Sequence, residues 1–293
     1  MGTSGGRTVS VAIPVYNGED YLAEALTSVA SQTRPPEEIL VFDNASTDRS
    51  RAIAAEHLPE TSLRPSSANV GAVVNFNRAV RECTGEYFAW LAADDRLAPK
   101  FVELTSAALH ASEASVCLPA IQYIDPKGEK LSIQTGHDLA SPDVRKRLRS
   151  YLRRPRWTEV YGLYRRSSLL ESPMFRDEFG ADVLLTWWFL LREPLLVLDE
   201  PLVEYRRYPE KSADATVESL NPNALRRRWL MTSLWVNLWR EAAGQGVERS
   251  VMRLARRELV RALFHRHWIH HIAWDLYLVA GDARRRFLVR TPR

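Results

Sequence analysis

Cysteine is nearly absent from this chain: Cys83 and Cys117 are the only two in 293 residues. Two distant thiols form no disulfide framework and have no metal-ligand spacing, so a reducing compartment is expected. Long apolar runs are missing as well. No uncharged stretch is long enough to span a bilayer, and the opening Met1-Gly-Thr-Ser-Gly-Gly-Arg7 lacks the apolar core of a signal peptide. The expectation is a cytoplasmic protein, soluble or peripheral on the inner face of the membrane. Glycine-rich phosphate loops are also lacking. Neither Gly-x-Gly-x-x-Gly nor Gly-Lys-Ser/Thr occurs, which argues against a dinucleotide fold and against a P-loop.

Strands alternating with amphipathic helices fill the first half. Val9-Ser-Val-Ala-Ile-Pro14 is a β-rich run, followed by helical spacing at Leu22, Ala25, Leu26 and Val29. Ile39-Leu-Val-Phe42 is a second buried strand that ends on Asp43-Asn44, and a helix follows to about Glu56. A weak third strand is expected near Leu63 and a helix from Gly71 to Cys83. Tyr87-Phe-Ala-Trp-Leu-Ala-Ala-Asp94-Asp95 is the fourth strand, with a helix from Pro99 to Ala111. This order predicts an α/β fold with a mostly parallel sheet flanked by helices. Ligands of such sheets bind beyond the carboxyl ends of the strands. Three polar exits fall on that edge: Tyr16-Asn17, Asp43-Asn44 and Asp94-Asp95.

Adjacent carboxylates at the mouth of a buried strand need a compensating partner. Hard oxygen ligands suit Mg²⁺ or Mn²⁺; the alternative is a helix cap at Asp94 beside a solvated Asp95. The second half reads as strands at 116–124, 160–164 and 195–198, with helices at 141–154 and 181–191 and a basic loop, Arg206-Arg207-Tyr208, after Pro201 to Tyr205. From Asn223 the pattern is helical. Leu230, Leu234 and Leu238 with Trp235 and Trp239 read as core packing, and Val251, Leu254, Leu259 and Leu263 line a helix whose other face is rich in arginine. The net charge is only +4, yet Arg249, Arg253, Arg256, Arg257 and Arg261 crowd into one helix. That asymmetry is compatible with a solvated basic face, with docking on anionic lipid, or with dimerisation through the Trp-rich helices. Nucleic acid is not indicated, because no recognition motif accompanies the charge. His265, His267, His270 and His271 invite a metal reading but lack a carboxylate partner, and surface or interface packing is the alternative.

Four segments together resemble the family 2 glycosyltransferases. They are Val9-Ser-Val-Ala-Ile-Pro-Val-Tyr-Asn-Gly18 with Leu26-x-Ser28-x-x-x-Gln32-Thr33, Ile39 to Asp48, Asn69-Val-Gly71 through Tyr87, and Leu91-Ala-Ala-Asp-Asp95. The resemblance implies the GT-A fold over residues 1–220, with a nucleotide-sugar-binding half at 8–115 and an acceptor and catalytic half at 116–220. A basic helical region at 221–293 follows. It implies inverting transfer of a sugar from a nucleoside-diphosphate donor to an acceptor hydroxyl, in polysaccharide, glycolipid or glycosylated-metabolite synthesis. UDP- or dTDP-sugars are the expected donors, and the acceptor is a sugar, a lipid-linked group or a small molecule.

By the same likeness, Pro14, Tyr16 and Asn17 frame the base, Asp43 binds the base or ribose, and Asn69, Gly71 and Asn77 lie along the pocket wall. Asp94 and Asp95 match the carboxylates for donor and metal, and Asp182 matches the catalytic base, with helix capping as its alternative. Ala92 stands where many members carry a further Asp, and Tyr208 stands where a metal-binding His often sits. Arg206, Arg207 or Lys211 would then hold the diphosphate. Two rival functions are a non-catalytic sugar-nucleotide binder and a sugar nucleotidyltransferase. The latter usually needs a basic Gly-rich loop where Pro14-Val-Tyr-Asn-Gly18 stands.

Overall fold

A computed structural model of the chain describes residues 7–135, 138–153, 155–208, 230–265, 268, 269 and 275. β/α units come first. α1 (Leu22–Ala30) lies between β1 (Val9–Val15) and β2 (Glu38–Asp43), and both α2 (Ser50–His57) and α3 (Ala72–Glu82) lie between β2 and β3 (Tyr87–Trp90). β1 pairs in parallel with both β2 and β3, as the alternation predicts. The weak strand expected near Leu63 is reduced to a single bridge from Leu63 to Val41.

Beyond β3 the sheet turns mixed. β4 (Arg96–Leu97), α4 (Phe101–His110), β5 (Val116–Ile124), β6 (Lys130–Gln134), α5 (Val144–Arg153), β7 (Leu163–Arg165), α6 (Arg166–Glu171), α7 (Ala181–Leu190) and β8 (Leu196–Arg206) follow in turn. The strand order is β2-β1-β3-β7-β5-β8-β4, with β6 on β5. β5 and β8 run parallel, whereas β3–β7, β5–β7, β5–β6 and β4–β8 are antiparallel. The parallel expectation therefore describes the first three strands, and the second half departs from it. For one of these pairs the reason is local: β5 and β6 are joined by the tight turn Asp125 to Gly128, where Gly128 has φ +86°. A hairpin of that length reverses the chain, whereas a parallel return needs a crossover.

Alternate residues of each strand feed opposite faces of the sheet. Val11, Ile13, Tyr87 and Ala89 pack with α1, α2 and α4, whereas Ala12, Phe88 and Trp90 pack with α3, α5 and α7. Two further helices, α8 (Leu230–Glu241) and α9 (Arg249–Leu263), join this second core. Leu234 and Leu238 are buried in it, and the Trp187 indole donates to the Leu238 carbonyl at 3.1 Å. Trp235 stacks on Trp239 with ring centroids 5.3 Å apart and donates to the Leu259 carbonyl. Leu234 and Leu238 are thus spent inside the chain, whereas Trp235 and Trp239 stay partly exposed. His267, His270, His271, Lys211 and the arginines from 284 onward lie outside the described residues.

Candidate active site

The exits of β1 and β2 are tied into one wall. Asn17 adopts the left-handed region at φ 51°, which a short polar side chain tolerates. Its backbone N–H donates to Ser46 Oγ at 3.0 Å, and its Oδ1 accepts from the Thr47 N–H at 2.9 Å. Asp43 is fully buried and accepts from Arg51 Nε at 2.6 Å and from the Ser46 N–H. Asn44 spans to the next segment: its Nδ2 donates to Asn69 Oδ1 at 2.8 Å, and its Oδ1 accepts from the Val70 N–H. Asn69 Oδ1 also accepts from the N–H of Gly71, whose φ of +85° opens α3. Tyr16 stands 51% exposed above this wall.

Two expected pocket residues lie elsewhere. Pro14 is buried within β1 opposite Phe42, so Tyr16 is the motif residue left facing outward. Asn77 is buried and clamps Phe175 by two bonds, Nδ2 to its carbonyl at 2.7 Å and Oδ1 from its N–H at 3.0 Å. It orders the approach to α7 rather than lining a nucleotide pocket.

Asp94 and Asp95 follow the buried β3. Asp95 Oδ1 accepts from the Arg206 backbone N–H at 2.8 Å, while its Oδ2 is buried with no hydrogen-bond partner. Burial, and then the neighbouring Asp94, push the Asp95 carboxyl well above the ordinary range. Asp94 Oδ2 accepts from the Tyr208 hydroxyl at 2.9 Å. Tyr208 thus fills the position expected for a metal-binding histidine with a hydroxyl already on the carboxylate. Among the described residues no group of three or more His, Cys, Asp or Glu side chains is placed to hold a metal. The helix-cap reading of the pair finds no support, because α4 begins six residues later without a side-chain cap.

Arg206 corrects a second expectation. Its guanidinium is fully buried and is consumed by Glu24 at 2.8 Å and by the carbonyls of Asp94, Asp125 and Pro126. It also lies over the Tyr21 ring at 4.1 Å. A cation so satisfied positions the carboxylate pair and is not available to a diphosphate. Arg207 is exposed instead, with its guanidinium 3.4 Å from the Tyr123 ring centroid.

Asp182 occupies the first turn of α7, behind Gly180 in the left-handed conformation. Gly180 holds the cap position, and Asp182 Oδ1 accepts from the adjacent Val183 N–H at 2.9 Å. Burial pushes this carboxyl up to about 7, and Glu159 adds to the rise, against the Val183 N–H that lowers it. Such a carboxylate exchanges protons near neutrality, which suits a general base.

Tyr161 and Tyr205 link the two halves. Both hydroxyls are held far above their ordinary range by burial first, with Asp95, Asp94 and Asp182 all adding to the shift. The rings of the pair lie 5.8 Å apart. Sequence reasoning missed Tyr161, Tyr205 and Glu24. Tyr205 stood inside a motif already singled out, but no spacing signalled Glu24 or Tyr161. Beside this pair opens a groove of about 690 Å³, lined by β6, by residues 155–158 and by the end of β8.

Comparison with known proteins gives the geometry a family. An uncharacterized glycosyltransferase of Escherichia coli K12, YibD, is 33% identical over 176 residues, which are 56% of this chain and 50% of YibD. The chain thus spans about half the length of that curated relative, and 30% of a similar uncharacterized glycosyltransferase from Rickettsia typhi. Residues 1–349 of S. aureus TarS, solved in complex with UDP-GlcNAc, superpose with a TM-score of 0.67 at 19% identity. That match covers 88% of this chain and 72% of the other. A mannosyltransferase from Pyrobaculum calidifontis in complex with GDP-Man and Mn²⁺ gives a TM-score of 0.55 at 18% identity, covering 96% and 87%. The fold is accordingly GT-A. The family model described as glycosyl transferase family 2 matches residues 10–172, more than half of the chain, and this chain belongs to that family.

Proposed function

We propose that this chain moves a sugar from a nucleoside-diphosphate donor to an acceptor hydroxyl, inverting the anomeric carbon, with Mg²⁺ or Mn²⁺ bound. One observation carries the reading: beyond β3, Asp94 and the buried Asp95, whose Oδ2 has no hydrogen-bond partner, meet the end of β8 through Tyr208 and the Arg206 N–H. Structural neighbours hold UDP-GlcNAc, or GDP-Man with Mn²⁺, on the same fold. The nucleotide is therefore left to experiment.

On this reading Tyr16 and the wall from Asn17 through Asp43 to Asn69 and Gly71 receive the nucleotide. The buried, partnerless Asp95 Oδ2 beside Asp94 fits a divalent cation. Mg²⁺ accepts one or two carboxylates and fills its remaining positions with phosphate oxygens and water, so Ala92 and Tyr208 do not disqualify the pair. When bound, such a cation neutralises charge developing on the leaving diphosphate. Asp182 takes the acceptor hydroxyl's proton as the new glycosidic bond forms. Tyr161 and Tyr205 exclude water from the reacting carbon.

Incubating the full chain with UDP-, dTDP- and GDP-sugars and Mn²⁺ tests this directly. Slow release of nucleoside diphosphate from at least one donor, abolished by EDTA, is expected. Donor binding without any release would instead identify a non-catalytic binder. A nucleotidyltransferase would require added pyrophosphate and would return nucleoside triphosphate and sugar 1-phosphate.

Peripheral membrane contact belongs to the same proposal. No helix among the described residues is long and apolar enough to cross a membrane. On α9, Val260 is 43% exposed, and Phe264 just beyond the helix is 78% exposed, in a segment that also carries Arg253, Arg256, Arg257 and Arg261. Apolar residues inside a basic field suit an anionic lipid surface. Vesicles rich in anionic lipid are expected to sediment the chain, with Phe264→Ser reducing the bound fraction severalfold. Equal binding to neutral vesicles would overturn this.

A further inference from the structure

The 690 Å³ groove lies on the far side of the carboxylates from the nucleotide wall. That wall stands at β1 and β2, whereas the groove is built on β5, β6 and β8, at the opposite end of the strand order. Tyr208, whose hydroxyl rests on Asp94, lines the groove. So do Tyr205 and Trp157, and the Trp157 ring packs edge-on to Phe179, three residues before Asp182, with centroids 5.1 Å apart. The groove is thus in contact with a partner of the donor carboxylate and with a partner of the segment that leads to the base.

Charge in the groove is of one sign. Arg156 and Arg207 both line it, and none of the described residues that line it is Asp or Glu. The third arginine, Arg206, is turned away and neutralised by Glu24. Arg156 donates to the Thr135 carbonyl at 2.8 Å, which fixes it to the β6 side, and Arg207 is fixed over the Tyr123 ring. Both cations are thus held in place before any ligand arrives, so less entropy is lost on binding. Trp157, 44% exposed, offers a flat apolar face, and Ser132, Gln134 and Thr158 line the groove as neutral polar residues. Guanidinium groups recognise phosphate and carboxylate by paired, charge-assisted hydrogen bonds.

Resting on the glycosyl-transfer reading above, we propose that this groove is the acceptor subsite and that it selects an anionic acceptor, a sugar or polyol bearing a phosphate or carboxylate. Arg207 then serves the acceptor and not the donor diphosphate. Trp157 carries the ring or chain, and the anion held by Arg156 and Arg207 directs a hydroxyl toward Asp182.

Isothermal titration of the full chain tests this with neutral and anionic twins: glucose against glucose 6-phosphate, glucose against glucuronate, and glycerol against glycerol 3-phosphate. The nucleoside diphosphate selected by the donor screen is kept saturating with Mn²⁺, so that the donor side is filled. At least one anionic twin is expected to bind about ten-fold tighter than its neutral partner, the discrimination of one charge-assisted hydrogen bond. Arg207→Gln and Arg156→Gln are each expected to erase most of that difference. Comparison of the phosphate and carboxylate arms identifies the anion. Twins of equal affinity, no binding by any of them, or a preference that survives both substitutions would overturn the proposal. If donor binding persists in those cases, only the acceptor assignment fails; if no donor binds, the transferase reading fails with it.

Discussion

Asp182→Asn is expected to lower kcat for sugar transfer by about 10³-fold, in the range typical of losing a general base, while donor affinity stays within about twofold. The substitution keeps an oxygen for the Val183 N–H and removes only the capacity to accept a proton. In the wild type, with this carboxyl at about 7, kcat/KM should rise roughly tenfold per pH unit below 7 and level off above it. The same shift has a thermodynamic sign. Because the folded pKa is raised above the unfolded value of 3.8, the folded state holds a proton between about pH 4 and 7 that the unfolded state has released. Stability therefore falls as pH rises through that window and remains lower above it. Asparagine escapes this cost, so the inactive variant should melt higher than wild type at pH 8, by roughly 2 °C for each kcal/mol recovered, and equally at pH 4. A variant that is both active and no more stable at pH 8 would remove Asp182 from the role of a buried base.

The second large effect concerns Asp95. Asp95→Asn retains an Oδ1 acceptor for the Arg206 N–H, so the β3 and β8 exits stay joined. What it loses is the negative charge on a buried oxygen that has no partner. Donor affinity in Mn²⁺ should fall by about 100-fold, to the value that wild type shows in EDTA, because a bound cation is worth several kcal/mol to a diphosphate. Titration of the donor nucleotide with and without Mn²⁺ separates the outcomes. If the variant still gains affinity from Mn²⁺ as wild type does, the cation sits elsewhere.

The residues proposed to carry this chemistry are read in the sequence from strand exits. A buried apolar run that ends on a carboxylate marks a candidate site at Asp43, Asp94 and Asp95, and the parallel pairing of β1 with β2 and β3 brings these exits to one edge. Asp182 was legible only through the family resemblance, because an Asp opening a helix looks the same whether it caps or catalyses. In the structure Gly180 holds the cap position, and Asp182 stands in the first turn, where its Oδ1 accepts the Val183 N–H. Arg206 and Asn77 misled for a shared reason. Each is a polar side chain near the site by sequence, yet each is consumed by backbone groups from distant segments: Asp125 and Pro126 for one, Phe175 for the other. No spacing within a motif reports such partners. The reversal of β7 was equally hidden, since a three-residue strand carries no pattern that fixes its neighbours or its direction.

Arg206 joins the last strand of the sheet to the third through its own backbone and side chain. Its N–H holds Asp95 across 111 residues of chain, and its guanidinium reaches Glu24 across 182. Closing loops of that length costs entropy that only the completed sheet returns. The carboxylates assigned to the metal therefore acquire their geometry late, when β8 docks between β5 and β4, although β1 to β3 and their helices are local units that can assemble earlier. An incompletely folded chain would hold the nucleotide wall without an aligned Asp95, so productive engagement of a donor is coupled to completion of the whole sheet.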